Sequence, residues 1–129
     1  MASELRVNTL KDASGNNSVA TSTVAQGSAK GFVRYNQDDN TNENSFNVGS
    51  ISDDSTGKFT VNLSSAFATN EKPAVVGMSN EANTNASVVV MGFDSAASST
   101  SSLVLRVSSD DSGAIDMLQN SAAFFGDLA

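Results

Sequence analysis

The chain consists of short apolar runs that alternate with polar residues and are separated by turn-forming stretches. The clearest run covers residues 58–63 and reads Lys-Phe-Thr-Val-Asn-Leu. Successive side chains of a strand point to opposite faces, so this alternation predicts a strand that lies on a core. Phe46 and Val48 alternate in the same way, and residues 52–57 between the two runs are turn formers that end in glycine. We therefore predict a β-hairpin over residues 46–63, against which the rest of the chain packs.

Comparable runs predict the remaining strands. They cover residues 31–36, 74–78, 87–93 and 103–107, and a last strand is expected from residues 115–118 and 121–125. Polar loops are predicted at residues 37–44, 64–71, 80–85 and 95–102. The run at 87–93 is almost wholly apolar, which predicts a central strand covered on both faces. No helical stripe interrupts this rhythm, so we predict an all-β domain over residues 29–129, an antiparallel, jelly-roll-like β-sandwich.

Residues 1–28 have a weaker pattern. One strand is predicted around residues 5–9 and a second over residues 18–24, with a turn between them. Their sizeable apolar side chains are few, namely Leu5, Val7, Leu10, Val19 and Val24. An isolated two-stranded ribbon is marginal in water. This extended N-terminal β-arm, joined to the domain at residues 26–28, therefore needs a partner, which is its own domain, a second copy of the chain or another protein. We predict that it is an assembly and docking arm.

The core should form around the hairpin. Phe59 and Val61 are expected to be buried together with Phe46, Val48, Val90 and Leu105, because alternation leaves them no other face. The aromatic side chains lie inside the alternating strands, which favours core positions for all of them. Tyr35 is the exception to consider, because its hydroxyl requires a polar partner.

Composition narrows the function. The 129 residues carry a formal net charge of −7, and the seven Lys and Arg are scattered singly. A nucleic-acid surface or an anionic membrane surface would need a basic patch, so neither partner is expected. No apolar run reaches the length of a membrane span, and the N-terminus has no signal-peptide pattern. We expect the chain to fold in a cytoplasm.

Candidate chemistry is sparse. The chain has no His and no Cys, which removes the commonest general base, the thiol nucleophile and imidazole metal sites. Ser55 and Lys58 have the Ser-x-x-Lys spacing of some acyl-enzyme hydrolases, but they fall at a hairpin rather than at a helix start. The acidic pairs are Asp38-Asp39, Asp53-Asp54 and Asp110-Asp111; all are expected in turns, without the spacing of a calcium loop. We predict no enzyme activity and no cofactor, and a weak Ca²⁺ site stays an open alternative.

One alternative from another functional class is a small carbohydrate-binding module. Tyr35 would stack on a sugar, and the Asn-rich loops would supply hydrogen bonds to its hydroxyls. A hydrolase is a more remote alternative because both His and Cys are missing.

Four segments together resemble virion structural proteins of marine tailed phages, often labelled tail-fibre proteins. They are Ser3–Gly15, Ala29–Asn36, Ser45–Leu63 and the closing Phe-Phe-Gly at 124–126. Phe32 stands where that group usually has Trp, and the loop after Asn36 is longer and more acidic.

The resemblance implies a virion surface appendage, tail-fibre-like or capsid-decorating, that has no catalytic residues. It also implies a homotrimer that contacts other virion proteins of the capsid or tail, and leaves a host surface glycan open as a further partner. The expected location is the virion.

Overall fold

The computed structural model describes residues 3–68, 73–80, 89–110 and 113–129. Eleven strands and one helix are assigned in these ranges. The elements are β1 (Thr9–Leu10), β2 (Val19–Ala20), α1 (Thr21–Gly27), β3 (Gly31–Asn36), β4 (Thr41–Phe46), β5 (Val48–Ser55), β6 (Lys58–Leu63), β7 (Ala74–Asn80), β8 (Val89–Phe93), β9 (Ser102–Ser109), β10 (Gly113–Ala114) and β11 (Gln119–Phe125).

Two antiparallel sheets pack face to face. The first has the strand order β4-β3-β11-β7. In the second, β9 pairs with β8 on one side and with β6 and β10 on the other, and β6 pairs with β5. Every strand pair that the structure describes is antiparallel. The all-β sandwich expected from the alternating runs is confirmed.

The core lies between the inner faces of the two sheets. It includes Val33 and Tyr35 of β3, Phe59 and Val61 of β6, Leu103, Leu105 and Val107 of β9, and Ala122 and Phe124 of β11. The rings of Tyr35 and Phe59 meet across the two sheets, with their centroids 5.0 Å apart. Phe59, Val61 and Leu105 are each fully buried, as predicted.

Two expected core residues are instead exposed. Phe46 is 57% exposed and Val90 is 60% exposed. Phe46 ends β4 in the first sheet, whereas Val48 begins β5 in the second. Asn47 between them has a φ of +57°, and its side chain donates to the carbonyls of Lys30 and Ser65. The predicted hairpin is therefore confirmed for β5 and β6 but is wrong at Phe46, because the chain changes sheet at Asn47.

The prediction that residues 87–93 are covered on both faces is wrong for the part that is described. Exposure alternates along β8, and Val90 points outward while Met91 packs against the core. The predicted loop 37–44 is shorter, because strand β4 already begins at Thr41. Residues 115–118 precede strand β11 instead of forming part of it. The first two residues of the 87–93 run and residues 81–85 of the predicted loop lie outside the described residues.

The arm, residues 3–28, differs from the prediction in both halves. The strand predicted around residues 5–9 is reduced to β1 (Thr9–Leu10), and the strand predicted over residues 18–24 is reduced to β2 (Val19–Ala20). Residues 21–27 form the helix α1, preceded by the two-residue pairing of β1 with β2. Thr21 attaches the start of α1 to the first half of the arm, because its hydroxyl donates to the carbonyls of Val7 and Asn8. In so short and weakly apolar a segment, periods of 2 and 3.6 cannot be told apart, which is why the sequence suggested a strand.

Candidate functional site

The Ser-x-x-Lys pair belongs to the end of a hairpin. Ser55 ends β5, Lys58 begins β6, and the two residues pair across the turn. The Lys58 ammonium lies 3.9 Å from a carboxylate oxygen of Asp54, and the Ser55 carbonyl accepts from the Gln37 amide. The hydrolase geometry, in which this motif opens a helix, is not the one found here.

The acidic pairs lie at three separate places in the fold, and Asp53 and Asp54 are each engaged in a local hydrogen bond. Asp53 and Asp54 lie inside β5 rather than in the predicted turn. Asp53 accepts from the Gln37 amide at 3.0 Å, and Asp54 accepts from the Thr60 hydroxyl at 2.6 Å. Asp38 and Asp39 lie in the turn before β4, as predicted, and Asp110 follows β9, while Asp111 is outside the described residues. Within the described ranges, no three His, Cys, Asp or Glu side chains come together where they could hold a metal ion.

Tyr35 is part of the core. Its side chain is 1% exposed, and its hydroxyl donates to the Asn40 side-chain oxygen at 2.7 Å. Burial, together with the nearby carboxylates of Asp53, Asp116 and Asp54, raises the pKa of Tyr35 to about 12. A ring in this position cannot stack on a sugar, so Tyr35 provides no carbohydrate-binding platform.

One exposed charged pair fixes a surface loop. The guanidinium of Arg106 donates to the Asp94 carboxylate at 2.8 Å, and the backbone N–H of Ala97 also donates to it. These hydrogen bonds lower the pKa of Asp94 below its ordinary value. The loop that follows covers Val104 on the outer face of the second sheet, where the Ser98 hydroxyl accepts from the Val104 N–H at 2.8 Å. These contacts hold the loop in place, so the Arg106–Asp94 pair has a structural role.

The arm leaves its apolar side chains uncovered. Leu5 is 81% exposed, Leu10 43%, Val24 42% and Val7 39%, and Val19 is partly buried. No residue of α1 is buried, and the helix has no side-chain N-cap and no acidic residue in its first turn. The arm is thus held by β1, β2 and a few hydrogen bonds, while four of the five residues singled out from the sequence are exposed and Val19 is partly buried.

A second apolar surface lies on the outer face of the first sheet. We call it the outer groove, and its sides and floor are formed by Phe32 and Arg34 of β3, Val76 and Met78 of β7, and Ser121 and Ala123 of β11. Its volume is about 500 Å³. That is within the roughly 300–1,000 Å³ of pockets that hold small ligands or several side chains.

Strand register explains the shape of the groove. Ala123 pairs with Phe32 on one side and with Val76 on the other, and the next outward row places Ser121 between Arg34 and Met78. The two small side chains on the central strand form a low floor between higher walls. Phe32, Val76 and Met78 are 38%, 66% and 71% exposed. Such a set of adjacent exposed apolar side chains marks an interaction surface more often than isolated ones do.

The groove is nearly uncharged. Arg34 is the charged residue among its lining residues, and its guanidinium lies 2.5 Å from the Glu43 carboxylate. Phe46 extends the apolar row past Phe32, with their ring centroids 6.3 Å apart. An apolar, uncharged occupant therefore fits this surface better than an ionic one.

No family model, no curated protein and no solved structure matches the chain. In the part of the chain that the structure describes, no helix is long and apolar enough to span a membrane. The function must therefore be inferred from the surfaces themselves.

Sequence reasoning named the arm residues but missed the groove. A signal for it was present, because Val33 and Tyr35 occupy one face of β3 and Phe32 must then occupy the other. Likewise, Val76 and Met78 alternate with Val75, so both faces of β7 are apolar.

Proposed function

We propose that the protein is a non-enzymatic virion structural protein, a surface appendage of a tailed phage that assembles through its N-terminal arm and displays the β-sandwich outward. The observation that carries this proposal is the arm, whose four large apolar side chains stay exposed on an otherwise folded chain. Exposed apolar side chains on a marginal segment are stabilised when a partner covers them. The resemblance of residues 3–15, 29–36, 45–63 and 124–126 to phage virion proteins agrees with this role.

The absence of assembled chemistry in the described residues is consistent with a structural role. Lys58 is paired with Asp54, the carboxylates of Asp53 and Asp54 accept local hydrogen bonds, and Tyr35 is buried. The partners in the proposal are other virion proteins of the capsid or tail and further copies of this chain. The homotrimer and the virion location come from the resemblance and belong to the proposal. The proposal also includes a host surface glycan as a further partner of the displayed sandwich, at a site other than Tyr35.

The test is incorporation into phage particles. Leu5→Asp places a charge on the most exposed apolar residue of the arm, and Val90→Asp places one on a comparably exposed valine of the sandwich as a control. A Leu side chain contributes roughly 1.5–3 kcal/mol when buried, so Leu5→Asp should lower incorporation about tenfold or more. Mass spectrometry and cryo-EM of purified particles measure this loss. The proposal fails if the unmodified chain is missing from particles, or if Leu5→Asp incorporates as well as Val90→Asp.

A further inference from the structure

We propose that the outer groove is the acceptor for the arm of a second copy of this chain, with Leu5 and Val7 lying on Ala123 and Ser121. The inference rests on the assembly role of the arm proposed above and identifies the surface to which the arm binds. Four observations support it. The arm and the groove are both uncovered, and the spacing of the arm side chains fits the groove. The arm is neutral, and the size of the contact fits exchange between copies.

Both surfaces are uncovered by the described residues of their own chain. The described residues that line the groove come from β3, β4, β7 and β11, and none of them belongs to the arm. The arm enters the sandwich at Lys30, whose backbone N–H donates to the Phe124 carbonyl at 2.7 Å, and the Lys30 ammonium donates to the Ala25 carbonyl of α1. With its base attached in this way, the arm still leaves Leu5 81% exposed. In a pair of copies, the arm of one chain can cover the groove of the other.

The spacing of the arm fits that of the groove. Residues 3–8 belong to no strand, and the carbonyls of Val7 and Asn8 link this segment to Thr21. Leu5 precedes this link, so the backbone around it can extend along a surface. In an extended chain Leu5 and Val7 lie about 6.8 Å apart on one face, which is also the separation of Ser121 and Ala123 along β11. The walls β3 and β7 flank β11, so their backbones lie about 9–10 Å apart. The small floor residues leave this width open for the larger side chains of the arm.

The charge distribution favours the arm over another sandwich as the occupant. Residues 1–28 contain two basic and two acidic residues, so the whole net charge of −7 belongs to residues 29–129. Two sandwiches repel each other, whereas a neutral arm does not add to this repulsion. The groove matches such a neutral segment, because Arg34, the charged residue among its lining residues, is already paired with Glu43.

The size of the contact also points to exchange between copies. One groove has ten lining residues. A stable interface takes roughly 20–30 residues a side. When arms are exchanged, each copy contributes both its groove and its arm, which brings the contact close to that range. In a two-fold pair both arm–groove contacts fall in one interface, whereas in a closed ring each interface holds one of them.

The absence of cysteine in the chain allows a direct test by disulfide trapping. A tagged Leu5→Cys variant is mixed with an untagged Val76→Cys variant and oxidised. The control mixture pairs Leu5→Cys with Val90→Cys, since Val76 and Val90 are 66% and 60% exposed on outer faces of the two sheets. We expect the first mixture to give a disulfide between two copies in at least tenfold higher yield than the control. Equal yields would overturn the inference, and so would a chain carrying both Leu5→Cys and Val76→Cys that closes only within itself.

Sedimentation of full-length variants supplies the second measurement. Leu5→Asp and Val76→Asp should each weaken self-association about tenfold or more, and Val90→Asp should not. Combining Val76→Asp with Leu5→Lys should restore association relative to either change alone, because the new charges attract across the contact. Failure of this rescue, with both single variants weakened, would place the arm and the groove in separate contacts and overturn the inference.

The remaining outcomes separate this inference from the proposed function. If Leu5→Asp blocks association and Val76→Asp does not, the arm binds elsewhere, and only the groove assignment is wrong. If Val76→Asp alone weakens association, two grooves meet face to face, and the inference is again wrong. If the unmodified chain stays monomeric at every concentration, arm exchange is excluded, whereas the phage-particle experiment still decides the virion role. A clear Leu5–Val76 crosslink in a chain missing from particles would reject the virion role and keep arm exchange.

Discussion

Phe59 is the residue on which the core depends most directly. Its side chain is completely buried, and its ring meets Tyr35 of the opposite sheet. Phe59→Ala should lower the free energy of unfolding by about 3–5 kcal/mol, the range for truncation of a buried aromatic residue. Phe46→Ala is the matched control: Phe46 is 57% exposed, so the loss should stay below about 1 kcal/mol. Urea unfolding of both variants measures the difference, and equal losses would contradict this account of the core.

Tyr35 gives the molecule a pH dependence at alkaline pH. Burial and nearby carboxylates raise its pKa from 10.0 to about 12, so the fold favours the neutral phenol. The unfolded chain loses this proton first. The contribution to stability is therefore complete below pH 10 and is lost as the pH rises toward 12.

The measurement is straightforward because the chain has one Tyr and no Trp. Phenolate absorbance of the native protein should have its midpoint well above the midpoint in denaturant, which should fall near the ordinary value of 10. A native midpoint near 10 would show that the Tyr35 hydroxyl is accessible to solvent and would contradict its burial in the core.

At the scale of elements, the turn between β5 and β6 is the most constrained connection. Gly57 has a φ of +68°, and a Cβ at this position would lie 2.4 Å from the Val107 carbonyl oxygen. The turn is also attached to the end of β9 and the segment after β10, because the Gly57 N–H donates to Asp116 and the Gly57 carbonyl accepts from Val107. A side chain here would push the hairpin away from both.

Gly57→Ala should therefore be far more destabilising than Gly113→Ala. Gly113 has a similar φ of +73°, but a Cβ there would meet no atom of the described residues within 4 Å. The left-handed conformation alone costs an L-residue roughly 1–2 kcal/mol, and only Gly57 adds the steric clash. Thermal unfolding of the two variants should give a clearly larger drop in Tm for Gly57→Ala. Equal drops would mean that conformation alone, not contact with β9, requires this glycine.

The alternating runs predicted the sandwich because each strand that reaches the core carries large apolar side chains on one face. The strands predicted over residues 58–63 and 103–107 are confirmed for this reason. Phe46 was misplaced because a period-two pattern continues across Asn47, whose left-handed φ redirects the chain without changing the alternation. Asn is frequent in the chain, so its presence at that corner carried little information.

The candidate site was predictable only in part. The arm residues follow from their weak, local pattern, and Leu5, Val7, Leu10 and Val24 are indeed exposed. The outer groove depends on the register of β3, β11 and β7, which lie far apart in the sequence. Alternation within β3 shows that Phe32 and Tyr35 cannot share a face, but only pairing reveals that Val76 and Ala123 lie in the row of Phe32.

At the scale of the whole molecule, charge and apolar contact have opposite effects on association. The net charge of −7 belongs to the sandwich, while the arm and the groove provide nearly neutral apolar surfaces. If copies associate through arm and groove, the apolar attraction is insensitive to salt, whereas salt screens the repulsion between the sandwiches.

Raising the ionic strength from about 0.01 M to about 0.15 M shortens the Debye length from about 30 Å to about 8 Å. Self-association of the full chain should therefore tighten over this range, as measured by sedimentation equilibrium. Leu5→Asp is the control, because it should stay monomeric throughout and so show that salt does not cause unspecific aggregation. An association that weakens as salt is added would mean that ion pairs hold the copies together, which the arm–groove contact does not allow.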